Sequence, residues 1–119
     1  MKRTYLDYLE DIQDAIEKVA EFIKGMDYDQ FAQDAKTTFA VIRALEVLGE
    51  AAKSIPEAVQ QQYPAIPWHE MARMRDKLIH HYFGVNLEVV WKTATEDLPY
   101  LAPLIEQALG EAESSDSDR

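Results

Sequence analysis

The chain has 119 residues, the size of one domain, and 47% of them are hydrophobic, which is enough for one core. It contains no cysteine, which excludes disulfides, thiolate metal sites and a cysteine nucleophile. Its formal net charge of −10 argues against tight non-specific nucleic-acid binding, because neutralisation of phosphates by basic side chains supplies most of that affinity.

The first predicted element is a helix over residues 4–24, with Gly25 as its stop. Apolar side chains recur along it at steps of three and four residues: Leu9, Ile12, Ile16, Val19 and Ile23. Charged side chains interrupt this stretch, whereas a signal peptide needs an uninterrupted apolar run. No run of about eighteen apolar residues occurs either. We therefore expect a cytoplasmic protein with no membrane-spanning helix.

The second predicted helix covers residues 30–53, and Asp27 or Asp29 is its expected cap. Its predicted inward face consists of Phe31, Ala35, Thr38, Phe39, Ile42, Leu45, Leu48 and Ala52. Gly49 lies inside this helix, where glycine costs about 1 kcal/mol relative to alanine. A glycine at such a position favours the close approach of another backbone.

A short helix is expected to follow, capped by Ser54-Ile55-Pro56 and ending at about Gln62. Residues 63–67 contain two prolines and are expected to be extended, because proline disfavours helix at the residue before it. The next helix begins at about Trp68 and reaches Tyr82 or Phe83.

The last predicted helix covers residues 87–109, with Asn86 as its cap. Pro99 and Pro103 lie within it and predict a kink or break near residues 97–103. Beyond residue 109 the chain is rich in Ser, Asp and Glu. Residues 1–109 are therefore interpreted as one helical domain and residues 110–119 as an acidic, disordered tail. The predicted fold is all-α, a bundle of four to five antiparallel helices.

Arg75 interrupts the apolar stripe of the helix that starts at Trp68. An unpaired buried charge is expensive, so this arginine extends its charged end to solvent, pairs with a carboxylate or faces a cleft of another subunit. The carboxylates of Glu46 and Glu50 are the candidates for a purely structural ion pair. Three cations and one Asp lie between Arg73 and Lys77, so the local charge is compatible with a phosphate.

His80 and Tyr82 follow Arg75 on the same helix. At 100° per residue, Arg75 and His80 differ by about 140° around a straight helix, whereas Arg75 and Tyr82 differ by about 20°. One straight helix therefore does not bring Arg75 and His80 together. Either the helix loosens toward its end, or the site combines groups from two copies of the protein.

The chemistry of these side chains suits metal-free RNA cleavage. His80 can transfer a proton near neutral pH, and Arg75 can hold a phosphate while negative charge develops on it. Because the 2′-hydroxyl of RNA can attack the adjacent phosphate, the protein needs no nucleophile. Tyr82 can stack on a base or bond a phosphate, or it can be ordinary core packing. No metal site is expected, since His80-His81 on a helix gives poor metal geometry.

The segment Arg75-Asp76-Lys77-Leu78-Ile79-His80-His81-Tyr82 resembles the signature of the HEPN family, an Arg followed a few residues later by His. Its spacing is similar to that of the HepT-like branch: Arg, four residues, His, one residue, Tyr. Segments 43–52, 83–87, 90–91 and 97–99 also resemble that branch. The resemblance covers most of residues 1–109.

This resemblance implies an all-α HEPN-like homodimer with a ribonuclease site in a cleft between protomers, and no cofactor. It implies a toxin of a type VII-like toxin–antitoxin pair, encoded with a nucleotidyltransferase antitoxin of the MntA type. Such antitoxins transfer AMP to the motif tyrosine, here Tyr82. Arg75 and His80 take the catalytic roles, and Asp76 and Tyr82 support the site. The added phosphate charge repels RNA, which is a physical reason for inactivation.

One residue departs from the pattern of this branch, because Asp76 stands where Asn is frequent. Its carboxylate can orient His80 or Arg75, and it can also weaken RNA binding. With the acidic body of the chain, Asp76 favours an alternative function, a non-catalytic helical module that only binds a nucleotidyltransferase. A third reading is a structural bundle in which Arg75 pairs with a carboxylate.

Overall fold

A computed structural model describes residues 4–80 and 85–117, apart from the side chains of His80 and of residues 115–117. The described residues form seven α-helices and one π-helical segment and contain no strand, so the predicted all-α class is confirmed. The elements are α1 (Tyr5–Phe22), α2 (Tyr28–Gln33), α3 (Ala35–Ser54), α4 (Glu57–Gln62), α5 (Trp68–His80), α6 (Leu87–Lys92), the π-helical segment Thr93–Asp97, and α7 (Leu98–Ser117). Among the described helices, none is long and apolar enough to cross a membrane.

Helix α1 follows the predicted pattern. The Asp7 carboxylate accepts a hydrogen bond from the backbone N–H of Thr4 at 3.0 Å, which satisfies one of the donors at the helix start. The apolar stripe is buried, with Leu9, Ile12 and Val19 fully enclosed. The helix gives way to a turn at Gly25, whose φ of 78° is one that glycine adopts without strain.

The single helix predicted over residues 30–53 is wrong, because the chain forms two helices that meet at Asp34. Of the two predicted caps, Asp27 is the one that caps α2, accepting from Gln30 N at 2.8 Å, and Asp29 lies inside the helix. Asp34 has an extended backbone and caps α3, accepting from Thr37 N at 3.1 Å and from the Thr37 hydroxyl at 2.9 Å. Aspartate competes with helix continuation through such bonds, which also lower the pKa of Asp34. The expected inward position of Phe39 is also wrong, since its side chain is 67% exposed.

The short helix α4 is confirmed, although Pro56 rather than Ser54 precedes it. Ser54 ends α3, and its hydroxyl donates to the Glu50 carbonyl at 3.0 Å. Residues 63–67 are not helical, as predicted, but they form a tight turn and not an extended segment. The Ile66 N–H donates to the Tyr63 carbonyl at 3.1 Å, and the fixed φ of Pro64 suits the second position of that turn.

The break predicted near residues 97–103 does not occur. The Asn86 side chain caps α6 as predicted, and the chain then stays helical to Ser117. The irregularity is the π-helical segment Thr93–Asp97, which directly precedes the turn containing Pro99. A proline ring collides with the carbonyl four residues earlier, here inside that widened segment, which leaves the ring room. The structure also differs at residues 110–117, which are helical where disorder was expected.

The bundle is built around α3, which packs against α1 on one side and α5 on the other, while α7 packs against α1. Helix α1 runs antiparallel to α3: residues 8 and 11 share a cavity with residues 43–51, and residues 11–22 share another with residues 40–47. The side chains of α3 that fill the centre are Val41, Leu45, Leu48 and Ala52. Helix α2 closes one end, where the Phe31 ring lies 5.1 Å from the Trp91 ring. Because α3 is the main contact of α5, the position of α5 depends on α3.

Candidate active site

Gly49 marks the closest approach of α3 and α5. A Cβ placed on Gly49 would lie 2.7 Å from the Met71 carbonyl oxygen and would overlap the Cβ of Arg75. Only a residue without a side chain fits there, because both neighbouring atoms belong to or adjoin the α5 backbone. The expected close approach of another backbone is confirmed. It places Arg75 directly over residues 49–50 of α3.

Arg75 forms two ion pairs at this contact. Its Nε lies 2.9 Å from Glu50 Oε2, and its Nη1 lies 3.1 Å from Asp76 Oδ1. The Arg75 side chain is 27% exposed, so its charge is neither fully solvated nor enclosed. Of the two carboxylates predicted as structural partners, the structure selects Glu50. Glu46 lies instead 3.9 Å from Arg43, one turn away on the same helix.

Arg75 lines a cavity of about 350 Å³ between α1, α3 and α5. The lining residues are Tyr8, Asp11, Arg43, Glu46, Val47, Glu50, Ala51, Arg75 and Ile79. Two guanidinium groups thus meet three carboxylates, and the cavity carries a small negative charge. A phosphate group could reach Arg75 here only beside acidic neighbours, so its binding depends on how the guanidinium donors are directed.

The three cations between residues 73 and 77 do not form one patch. Arg73 and Lys77 line a different groove, of about 500 Å³, between α5 and the helices that follow it. Arg75 lies on the α3 side of α5. The positive charge counted from Arg73 to Lys77 is therefore divided between two sides of α5, because residues two apart on a helix point in different directions.

His80 is the last described residue of α5, and its side chain is not described. The helix end predicted at Tyr82 or Phe83 lies outside the described residues. His81 and Tyr82 lie outside the described residues. Of the four predicted site residues, the structure therefore brings together Arg75 and Asp76. The positions of the His80 and Tyr82 side chains stay predictions. Within the described part of the chain, no cluster of three His, Asp or Glu side chains could hold a metal ion.

Sequence reasoning missed Arg43 and the α1 side of the cavity as parts of the candidate site. A signal for Arg43 was present, since Arg43, Val47 and Glu50 follow one another at steps of four and three residues on one helix face. The contribution of Tyr8 and Asp11 had no such signal. It arises because α1 lies against α3, a contact distant in sequence.

The comparisons with known proteins agree on one family. The family model described as Ribonuclease HepT-like matches residues 12–108. A protein of Thermococcus cleftensis named Probable ribonuclease HepT is 58% identical over 101 residues, covering 85% of this chain and 92% of that protein. Two proteins of Methanocaldococcus jannaschii, named as candidate RNases, are 42% and 40% identical over 117 residues, covering 98% of this chain and 97% of each relative. No solved structure matches the chain.

Proposed function

The chain belongs to the HepT-like ribonuclease family, and from that premise we propose that it is a metal-independent endoribonuclease toxin of a type VII-like toxin–antitoxin pair. The observation that carries the proposal is the environment of the Arg75 side chain. Its guanidinium is partly exposed at the rim of a cavity and is fixed from two sides by carboxylates. An arginine held in this way suits the binding of an RNA phosphate.

In the proposed reaction, the 2′-hydroxyl oxygen of RNA attacks the adjacent phosphorus, and the bond from phosphorus to the 5′-oxygen of the next nucleotide breaks. The 2′-hydroxyl loses a proton and the 5′-oxygen gains one, so the products carry a 2′,3′-cyclic phosphate and a 5′-hydroxyl. Arg75 stabilises the negative charge that develops on the phosphate oxygens. His80 transfers the proton, which its near-neutral pKa range permits.

The proposed site belongs to a homodimer. On one straight helix His80 points about 140° away from Arg75, so one copy does not place both groups on the same phosphate. Two copies with their α5 helices facing across a cleft supply Arg75 from one chain and His80 from the other. Such a two-fold contact places the same pair of residues at both ends of the cleft.

The proposed partner is a nucleotidyltransferase antitoxin of the MntA type, which transfers AMP from ATP to Tyr82. The phenolic oxygen of Tyr82 attacks the α-phosphorus, the bond to the bridging oxygen breaks, pyrophosphate leaves and the phenol proton is released. The product carries a phosphodiester anion two residues from His80. Like-charge repulsion then opposes the approach of an RNA phosphate.

RNA cleavage by purified variants tests the ribonuclease proposal. We expect the wild-type protein to cleave RNA with excess EDTA present and to leave 2′,3′-cyclic phosphate ends. Arg75→Ala and His80→Ala are expected to lower kcat/KM about a hundredfold or more, because each removes charge stabilisation or proton transfer in the transition state. Arg73→Ala is the matched control, since it removes an arginine of the same helix that lines the other groove.

Mixing the two inactive proteins tests the two-copy site. If Arg75 and His80 act from different protomers, mixed dimers of Arg75→Ala and His80→Ala regain one intact site, and cleavage returns in part. Wild-type protein that leaves RNA intact, or variants that cleave as fast as wild type, would contradict the proposal. Cleavage that never returns on mixing, with exchange of protomers demonstrated, would contradict the shared site alone.

A non-catalytic module that binds a nucleotidyltransferase is the second candidate. The observation that favours it is the charge of the cavity, where Arg75 and Arg43 face three carboxylates. Such a cavity attracts RNA weakly, because phosphate binding needs an excess of positive charge. This candidate predicts no cleavage by wild type and unchanged binding of the nucleotidyltransferase by Arg75→Ala.

A further inference from the structure

We propose that Glu50 is a positioning residue for Arg75, directing the guanidinium so that its remaining donors point at the RNA phosphate. The inference rests on the proposed ribonuclease function. Nothing in the sequence assigned Glu50 more than a structural ion pair. What changes the interpretation is the combination of its contact with Arg75 Nε, its exposure, and the glycine that precedes it.

The two described contacts of Arg75 involve two of its three nitrogens. Nε lies 2.9 Å from the Glu50 carboxylate in an ion pair, and one N–H of Nη1 donates to Asp76. Nη2 has no described contact, so its two N–H donors are left for other acceptors. A guanidinium is planar, so fixing Nε and one Nη atom fixes the direction of the whole group. Held in this way, the group presents its remaining donors in a set direction, in which they can bind the oxygens of a phosphate.

The exposure of Glu50 argues against a role in stability alone. Its side chain is 56% exposed, whereas that of Arg75 is 27% exposed. An ion pair open to solvent contributes little to the free energy of unfolding, because water screens both charges. The Glu50–Arg75 contact contributes little to stability but orients the guanidinium, which favours a role in the active site over a role in holding the core together.

The close approach of α3 and α5 at Gly49 brings the Glu50 carboxylate within reach of Arg75. Because no side chain separates α3 from α5 at Gly49, the Cβ of Arg75 lies against the α3 backbone. Glu50 is the next residue, and its carboxylate reaches Nε from there at 2.9 Å. Glu46 lines the same cavity but contacts Arg43, so it is an acidic neighbour that lacks the contact with Arg75.

Kinetics of RNA cleavage test the positioning role. Glu50→Ala is expected to lower kcat on the order of 10-fold with KM little changed, since misdirecting a group that acts in the transition state costs rate more than binding. Glu50→Gln keeps an oxygen beside Nε and is expected to restore most of the rate. Glu46→Ala, the matched comparison, removes a carboxylate of the same cavity that does not contact Arg75. It is expected to lower KM, because the cavity becomes less negative, without the loss of kcat.

Two further measurements separate positioning from a structural role. In an Arg75→Lys background, Glu50→Ala is expected to change kcat by less than about twofold, because a residue that acts through Arg75 loses its effect when Arg75 is gone. The NMR chemical shift of Arg75 Nε, identified by the absence of its signal in Arg75→Lys, is expected to stay close to the wild-type value in Glu46→Ala. It is expected to change in Glu50→Ala, because the ion pair beside Nε is lost.

The outcomes distinguish the positioning role of Glu50 from the ribonuclease function on which it rests. If wild type cleaves RNA, Arg75→Ala does not, and Glu50→Ala matches or exceeds wild type, the positioning role is refuted and the ribonuclease function stands. An equal loss in Glu50→Ala with or without Arg75 also refutes it. If wild type leaves RNA intact, the ribonuclease function fails and the positioning role with it, whatever the NMR signal records.

Discussion

At the scale of single residues, the site depends on what Gly49 lacks. The helix tolerates a residue of low helix propensity there because any Cβ would strike the Met71 carbonyl and Arg75. Glu50, the next residue, then reaches the Arg75 guanidinium. The sequence indicated both the glycine and the arginine, and it gave Glu50 as one of two acidic candidates. The choice between Glu50 and Glu46 needed the structure, because both lie on the α3 face that meets α5.

Gly49→Ala is expected to destabilise the protein and to slow cleavage. Alanine gains about 1 kcal/mol in helix propensity, but inserting a methyl group into a tight contact costs about 1–3 kcal/mol. The net result is a loss of stability, with Arg75 displaced from its pairing with Glu50. Thermal unfolding measures the first effect and RNA cleavage the second.

Gly110→Ala is the matched control for that change. Gly110 also lies inside a helix, and a Cβ placed on it meets nothing within 4 Å. Alanine there is expected to raise the unfolding temperature, because only the gain in helix propensity remains. If both variants are stabilised equally, the close contact at Gly49 does not constrain the helix pair.

At the scale of elements, turns and caps decided where the helices begin and end. Asp34 caps α3 and divides the predicted second helix, whereas Pro99 and Pro103 stay inside a continuous helix. Local sequence rules misjudged both cases because they ignore compensation nearby, such as the π-helical segment before Leu98.

One contact between elements is a short hydrogen bond. The Tyr63 hydroxyl donates to Glu111 Oε2 at 2.6 Å and links the turn before α5 to α7.

Tyr63→Phe is expected to lower stability only below alkaline pH. The hydrogen bond to Glu111 raises the pKa of Tyr63 from 10.0 to about 12. A pKa raised in the folded state contributes stability that is complete below the unfolded value and is lost as pH rises through the folded one. The difference between wild type and Tyr63→Phe, roughly 0.5–1 kcal/mol near neutral pH, should therefore fall as pH rises from 10 toward 12.

Glu111→Gln provides the second arm of this measurement. The amide oxygen still accepts from Tyr63 but carries no charge, so the rise in the tyrosine pKa is expected to shrink. Urea unfolding across the pH series measures the free energy of unfolding for each protein. A difference between wild type and Tyr63→Phe that persists beyond pH 12 would contradict the assignment of the pKa to this contact.

At the scale of the whole molecule, the distribution of charge limits how the protein can bind RNA or a partner. The chain carries −10 in total, and the cavity at Arg75 contributes no excess of cations. Arg73 and Lys77 lie on the other side of α5, in a separate groove. We therefore expect the protein to hold RNA through a few directed donors rather than through a basic surface, so that contact during cleavage is brief. We expect one more negative charge near such a site, such as that of an AMP group, to weaken the binding of an RNA phosphate strongly.

AMP transfer is the prediction that belongs to this scale. Incubation with ATP and the proposed nucleotidyltransferase antitoxin is expected to add one AMP mass at Tyr82 and to abolish RNA cleavage. Tyr82→Phe is expected to keep cleavage and to lose the modification, because only the attacking oxygen is removed. Mass spectrometry of peptides that contain residue 82 gives the position. Modification at another tyrosine, such as Tyr100, would contradict the proposed control point.

The sequence by itself determined the helical class, the apolar face of α1, the cap at Asn86 and the segment that carries Arg75 and Asp76, and it left Asp27 and Asp29 as alternative caps. These features are local, since helix periodicity and capping act within a few residues. Only the tertiary structure decided which carboxylate meets Arg75, that Arg43 and α1 border the same cavity, and that Arg73 and Lys77 belong to another groove. Those facts depend on how α3 lies between α1 and α5, a packing between residues far apart in the chain that no local pattern records.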